Sequence, residues 1–449
     1  MKDNFTEGKI WGPLLRFGAP ILLALFLQSL YGAVDLLVVG QFGTAADVSA
    51  VATGSQMLQM MTVVITGLGM GTTVLVGQTL GRGRSSEAGN IIGSSICFFG
   101  CLGLVLTLVL LAAAPNFATL MQAPKEAFAQ TVSYVRICGV GIIFIVAYNV
   151  LGSVFRGLGD SRTPLLTVLF ASIFNVFGDL FFVAYLQWQA AGAAVATVLA
   201  QALSVMLSIV LVHRQGLPFA FGREHIRFDG TLIRTIAGLG FPVALQDALV
   251  GISFLAINAI VNSLGVVPSA GVGVAEKICG FIMLVPSAFS QSLTAFVAHN
   301  IGAGKVERAT KAMFYGMKTS VAAGIIMAYI AFFQGQALSS LFTADKEVVY
   351  ASADYLRAYG FDTLLVSFLF CFMGYFNGGG KTRFVMVQGI VGAFLVRIPV
   401  SYIMSKQAGV TLFEIGLATP ASTVIQIILC ALFFHYVRQT EQRNIPRLK

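Results

Sequence analysis

The sequence predicts an all-α polytopic membrane protein of twelve transmembrane helices in two pseudo-symmetric lobes of six. Three observations predict it. The 449 residues are 57% hydrophobic and only 10% charged, with a mean hydropathy of +0.85, far from the balance of a soluble domain. Windows of about 20 residues resolve the chain into twelve apolar spans. Segments of the first half also return in the second at a nearly constant offset of 221 positions.

The first span, residues 14–39, carries Pro20 and, inside the apolar run Gln28–Gly40, Asp35. A carboxylate at membrane depth is expensive, so its retention suggests a proton, a cation or a charged substrate. The lead-in Met1–Trp11 lacks the cleavage pattern of a signal peptide, so the first span is expected to stay, with Trp11 near the headgroups. The second span, 48–76, holds Gln56 and the soft side chains Met57, Met60, Met61 and Met70, which suit either core packing or a pocket accepting many shapes. The third and fourth spans are 90–113 and 131–154, the fourth carrying Asn149. In the fifth, 164–186, Asn175 and Asp179 stand at i and i+4, a spacing that stacks them on one helix face. The sixth, 191–212, adds the hydroxyl of Thr197.

A basic connection containing Gly216, Pro218, Gly222 and Gly230 separates the expected lobes, 1–220 and 221–449. The seventh span, 235–264, repeats an early proline as Pro242 and contains Asp247. The eighth, 270–298, has the adjacent pair Glu276–Lys277 and then Met283; neighbours on a helix point about 100° apart, so only one of the pair can face a given cavity. The ninth span is 312–334 and the tenth, 354–376, has Asp362 near its start. The eleventh, 384–405, contains Arg397, for which a salt bridge or snorkelling is expected. The twelfth is 412–437.

The net charge of +9 raises nucleic acid as a partner, but its distribution argues against it. With the N-terminus placed in the cytoplasm, 21 of the 28 Lys and Arg residues fall on that side, including Lys2, Lys9, Arg82, Arg84, Arg156, Arg162 and the C-terminal Arg443, Arg447 and Lys449. That bias is the positive-inside rule, with both termini cytoplasmic. The six cysteines lie in apolar segments without a C-x-x-C pair, and the four histidines are scattered, so no metal cluster is visible.

The repeat is an internal control. Leu80-Gly81-Arg82-Gly83 returns as Ile301-Gly302-Ala303-Gly304, and Arg156-Gly157-Leu158-Gly159 returns as Asn377-Gly378-Gly379-Gly380. Six spans per half give both halves one orientation, with the repeat axis along the membrane normal and a cavity expected between the lobes. Asp35, Asn175, Asp179 and Thr197 do not recur: their counterparts are Ala256 or Ile257, Val396, Val400 and Ala418. The acidic group is an addition to one lobe. If its faces meet, two close carboxylates cannot both ionise cheaply in a low dielectric, which suits a proton carrier. The same oxygens can hold sodium, or the polar groups can simply tie helices together.

No G-x-x-x-x-G-K-[ST] loop is present to couple nucleotide hydrolysis. A membrane enzyme would need a nucleophile with its base or a metal cluster, and the sequence offers neither. A channel would not require a two-lobe repeat. Energy must come from an ion gradient or from the substrate's own gradient.

The segments Gln28-Ser29-Leu30-Tyr31 leading to Asp35, Arg156–Pro164, Asn175 with Asp179, Gly273–Ile278 and Gly302–Lys305 together resemble the multidrug and toxic compound extrusion (MATE) family, across essentially the whole chain. The resemblance implies antiport, a proton or sodium ion entering as an organic, often cationic, compound leaves. It implies a cation-coupling group of Asp35, Asn175, Asp179 and Thr197, no cofactor beyond H+ or Na+, a plasma-membrane location and a monomer. Gln56, Met60, Asn149, Glu276, Met283 and Asp362 are the candidate substrate-lining residues. Two departures stand out: only Asp247 is available where some members have a deep acidic residue in the seventh span, and Glu276 takes a position often apolar. The alternative is a flippase or exporter of a lipid-linked precursor or a specific metabolite.

Overall fold

The computed structural model describes residues 5–443, with side chains to residue 440. Lys2, Arg447 and Lys449 of the basic termini lie outside the described residues, as does the side chain of Arg443. Every regular element among the described residues is helical. Twelve helices are long and apolar enough to cross a membrane: α1 (Trp11–Phe42), α2 (Ala45–Gly81), α3 (Ser85–Leu120), α4 (Lys125–Gly157), α5 (Arg162–Tyr185), α6 (Gln189–Gln215), α7 (Gly230–Asn262), α8 (Val266–Gly302), α9 (Val306–Phe333), α10 (Lys346–Gly378), α11 (Thr382–Ser405) and α12 (Leu412–Thr440). Helices are the natural answer to an apolar medium, because each satisfies its backbone internally.

Polar caps extend several of them beyond their apolar windows. Thr44 and Asp47 form a reciprocal capping box at the start of α2, Asp345 accepts from two backbone amides at the start of α10, and Thr411 with Glu414 repeats the box before α12. Proline breaks one span: α8 is interrupted at Met283, since Pro286 offers no N–H to the Ile282 carbonyl.

The repeat is visible in conformation. Gly83 has φ 75° and its counterpart Gly304 has φ 71°, while Gly159 and Gly380 have φ 75° and 74°. These are left-handed values that end a helix tightly and that glycine adopts without a Cβ penalty. Both pairs keep the 221 offset, so the turns between spans were built once and used twice.

Two compact units form. The first runs to Ala244 and includes Ala295–Arg308; the second comprises Leu245–Thr294 and the chain from Ala309 onward. In the first, α4 is central, packed on α2, α3 and α6, while α5 lies against α1 and α6. Its core includes Val39, Ile65, Phe99, Tyr134 and Ile142. In the second, α10 holds the corresponding place against α8 and α12, over a core including Ile257, Ile278, Tyr355 and Leu356. Outward positions are apolar too, as at Leu108, Phe177 and Leu395, each about two-thirds exposed, which a lipid-facing surface requires.

Within the first unit, the end of α8 crosses α2 through glycines. A Cβ at Gly81 would fall on the His299 carbonyl, and a Cβ at Gly302 would fall on the Gln78 carbonyl. The N-terminal segment is held to this same corner. Phe5 is buried against Phe17, Phe296 and His299, and the Arg308 guanidinium donates to the carbonyls of Phe5, Glu7, Gly8 and Lys9. The lead-in expected at the interface is therefore docked as far as Lys9, and Trp11, half-exposed, opens α1.

Candidate functional site

Because α5 lies against α1 and α6, it brings the faces of Asp35, Asn175, Asp179 and Thr197 together in the first unit. The Thr197 hydroxyl donates to Asp35 Oδ2 at 3.2 Å. Asp179 and Asn175 lie close enough to Asp35 to act on its carboxyl, although neither is hydrogen-bonded to it. Two carboxylates are acceptors only, so a bond between Asp35 and Asp179 exists only across a shared proton. Asp35 is 5% exposed, Asn175 1% and Asp179 0%. Counted as ionised, Asp35 Oδ1, both Asp179 oxygens and both Asn175 amide atoms have no partner. Buried polar atoms are nearly always satisfied, so a concentration of unsatisfied ones marks a place for something small and positive. Four hard oxygens from two carboxylates, an amide and a hydroxyl suit a proton or an alkali cation and not a soft metal. Among the described residues no group of three His, Cys, Asp or Glu is placed to hold a metal ion.

The local helix geometry has its own cause. Immediately after Asp179, α5 widens into a π-helical turn over Leu180–Tyr185, an irregularity often found at functional positions. On the other side, Tyr134 and Cys138 of α4 approach the carboxylates. The Tyr134 ring fits only because α2 has Gly54 there: a Cβ at Gly54 would strike it.

A cavity of about 280 Å³, counting all non-atom space including its open side, lies beside Asn175 and Thr197. Its polar lining comes from Gln28 and Tyr31 of α1, Tyr148 of α4, and Gln201 and Ser204 of α6. Gln28 donates to the Tyr148 hydroxyl at 2.7 Å and Gln201 to the Tyr31 hydroxyl at 3.3 Å. Gln28 and Tyr31 enter the sequence reading only as part of a motif, and Tyr148, Gln201 and Ser204 not at all. The signal was available: Tyr31 and Gln28 precede Asp35 by four and seven positions, and Gln201 and Ser204 follow Thr197 by four and seven, which is one helix face.

The six candidate substrate-lining residues are divided between the units, Gln56, Met60 and Asn149 in the first and Glu276, Met283 and Asp362 in the second. Gln56 and Met60 are exposed on α2. Asn149 is tied down, accepting from Thr66 at 3.0 Å and donating to the Ile145 carbonyl at 2.8 Å. Met283 packs at the edge of the second unit's core. Glu276 and Asp362 share the second unit: Glu276 accepts from Asn258 at 3.1 Å, not from the adjacent Lys277, and Asp362 accepts from Thr423 at 2.6 Å. Arg397 is 6% exposed, so it does not snorkel. Its guanidinium donates to the Ser253 hydroxyl at 3.2 Å and lies 4.5 Å over the Phe254 ring, and its Nε has no partner. The π-helical segment Val391–Arg397 turns it inward. A cation–π contact takes the place of the expected salt bridge.

Comparison with known proteins follows the same division of the chain. The MatE family model matches twice, over residues 20–181 and 242–403. The chain is 23% identical over 451 residues to the probable multidrug resistance protein YoeA of Bacillus subtilis, covering 97% of this chain and 96% of that one. It is 21% identical over 415 residues to the multidrug export protein MepA of Staphylococcus haemolyticus, covering 92% and 91%. Among solved structures, it superimposes with TM-score 0.91 at 20% identity, over 98% of both chains, on the outward-facing conformation of a multidrug resistance MATE family transporter of the MOP superfamily.

Proposed function

The chain belongs to the MatE family of membrane transporters, and from that premise we propose that it exports small organic, mainly cationic, compounds by antiport against a proton or sodium ion held at Asp35, Asn175, Asp179 and Thr197. The observation that carries this reading is the buried pair Asp35–Asp179, with unsatisfied oxygens on both members. Loading the pair with a cation removes the negative charge that favours a cationic substrate, which ties release of one to uptake of the other. Pro20 supplies a place where α1 can bend in response, since it has no N–H to give the carbonyl four residues back, at Arg16. A two-repeat transporter then alternates access by rocking. We place it in the plasma membrane as a monomer on its resemblance to the family, and with both termini cytoplasmic on the distribution of Lys and Arg.

Ethidium efflux from proteoliposomes tests this, with proton and sodium gradients imposed separately. Efflux driven by one gradient and lost in Asp35→Asn is the expected result; efflux unchanged by that substitution would reject the assignment. Flipping or export of a lipid-linked precursor or a specific metabolite is the second reading. Arg397 favours it, as a buried guanidinium without a carboxylate in ion-pair contact among the described residues.

A further inference from the structure

We propose that the connection between α6 and α7 is an interfacial anchor for anionic phospholipid, with Ile226 and Phe228 entering the headgroup layer and Arg223 and Arg227 holding the phosphates. Such an anchor serves the protein whatever compound it moves.

The inner face of the connection is fixed on α3. A Cβ at Gly89 would come within 2.7 Å of the His225 ring, and a Cβ at Gly93 would fall on the His225 carbonyl. Two glycines one turn apart thus let the connection lie directly on the helix backbone. The Ser94 hydroxyl donates to the Arg227 carbonyl at 3.3 Å, and the Phe221 ring stacks on His225 with centroids 5.7 Å apart. Leu217, Phe219 and Phe221 pack against the core of the first unit. Asp229 closes the connection by capping α7, accepting from the amides of Thr231 and Leu232 at 3.0 and 3.1 Å. The segment is a built element with a defined outer face.

That outer face is both apolar and basic. Of the six residues Arg223–Phe228, only His225 is not exposed, and Phe228 is 66% exposed. Arg214 near the end of α6 and Arg234 in the first turns of α7 are exposed as well. Against these four guanidinium groups stand Glu224 and Asp229, and Asp229 is committed to its cap. Water would meet two large apolar side chains at a cost. A lipid surface takes up both properties, since apolar side chains settle at headgroup level while arginine pairs with phosphate.

The depth of the connection fits that surface. The stripe of α3 that carries Gly89 and Gly93 continues as Ile96, Gly100 and Leu104, at seven, eleven and fifteen positions from Gly89. Ile96 and Leu104 are exposed, and a Cβ at Gly100 would meet nothing within 4 Å. In a membrane span this is a stripe covered by lipid. Gly93 precedes Ile96 by three residues, about 4.5 Å along the axis. The connection therefore crosses α3 inside the interfacial layer, which is about 5–8 Å deep on each side of the hydrocarbon. The distribution of Lys and Arg assigns this end to the cytoplasmic leaflet, the one with a negative surface potential.

The test follows hydrogen–deuterium exchange over residues 223–228 of the full-length protein in neutral detergent as phosphatidylglycerol is added. The lipid should protect the segment, and phosphatidylcholine should not. The concentration giving half protection should rise about fivefold for each of Arg223→Gln and Arg227→Gln. Phe228→Ser should raise it too, without any change of charge. Lys311→Gln combined with Lys318→Gln removes two charges from α9 and should leave it unaltered. Wild-type protection in the arginine variants overturns the anchor. Equal losses from the lysine pair overturn it also, because net charge alone would then attract the lipid. Protection by inorganic phosphate without lipid would make the site one for a free anion. Protection that grows with protein concentration in the absence of lipid would give the face to a second copy of this chain; either result rejects the lipid assignment.

Discussion

Thr197 donates its hydroxyl to one oxygen of Asp35 at 3.2 Å, while the other oxygen of Asp35 has no protein donor. The carboxylate is therefore half-satisfied, oriented by α6 yet open on the side of Asp179. Full satisfaction by neutral donors would trap the charged form and leave no reason for a cation to enter.

Asp35→Asn and Asp179→Asn should each reduce coupled efflux by more than about tenfold, a loss above about 1.4 kcal/mol, with the protein still monodisperse. Because the two carboxylates act as one unit, the double variant should be little worse than either single. Efflux assays on all three check this, and losses that multiply would show two independent sites.

Arg397→Met should leave thermal stability equal or higher. The guanidinium's one hydrogen bond and its contact with Phe254 offset only part of the cost of burying a charge, and methionine fills similar space. A melting temperature several degrees lower would show that the ring and hydroxyl compensate fully. Arg397→Lys should be the worse replacement, since an ammonium stacks less well and is more strongly hydrated.

Arg308→Ala should release the N-terminal segment. It removes every donor that side chain gives to the carbonyls of residues 5–9, each hydrogen bond from a charged group contributing about 1.5–3 kcal/mol. Hydrogen–deuterium exchange should rise sharply over residues 5–9 and remain unchanged in α4. Unaltered exchange in the segment would assign its docking to the Phe5 ring and to the donors Asn300 and Lys305, which reach the Phe5 and Thr6 carbonyls.

Gly81→Ala and Gly302→Ala should each cost about 1–3 kcal/mol by forcing the crossing apart. Gly83→Ala and Gly304→Ala meet nothing within 4 Å but hold φ at 75° and 71°, costing about 1–2 kcal/mol. Thermal unfolding of the four variants checks both. Asparagine should rescue the second pair and not the first, because it tolerates left-handed backbone but still carries a Cβ.

The twelve spans and the repeat were legible because bilayer thickness and the cost of bare backbone leave few alternatives to long apolar helices. The group at Asp35, Asn175, Asp179 and Thr197 was legible from the expense of polar atoms at membrane depth and from the i, i+4 spacing. Less was readable where the outcome depends on which neighbour arrives. Arg397 met an aromatic ring instead of an acid, Glu276 met Asn258 of the preceding span, and the π-helical turns after Asp179 and before Ile398 carry no periodicity of their own. The break at Met283 could have been predicted from Pro286 alone. The docking of Phe5 could not, because two of its three ring partners, Phe296 and His299, are about 290 residues away.

The crossing of α2 with the end of α8 has a reciprocity that ordinary helix packing lacks. Gly81 meets the carbonyl of His299 and Gly302 meets that of Gln78, and the repeat offset turns each contact into the other. That is the signature of an isologous interface, in which one surface patch recognises itself. It follows that a chain made from two copies of either repeat would preserve both close approaches, since each copy brings the glycine and the carbonyl together. Such a crossing is inherited whole at duplication, before the two halves have begun to differ.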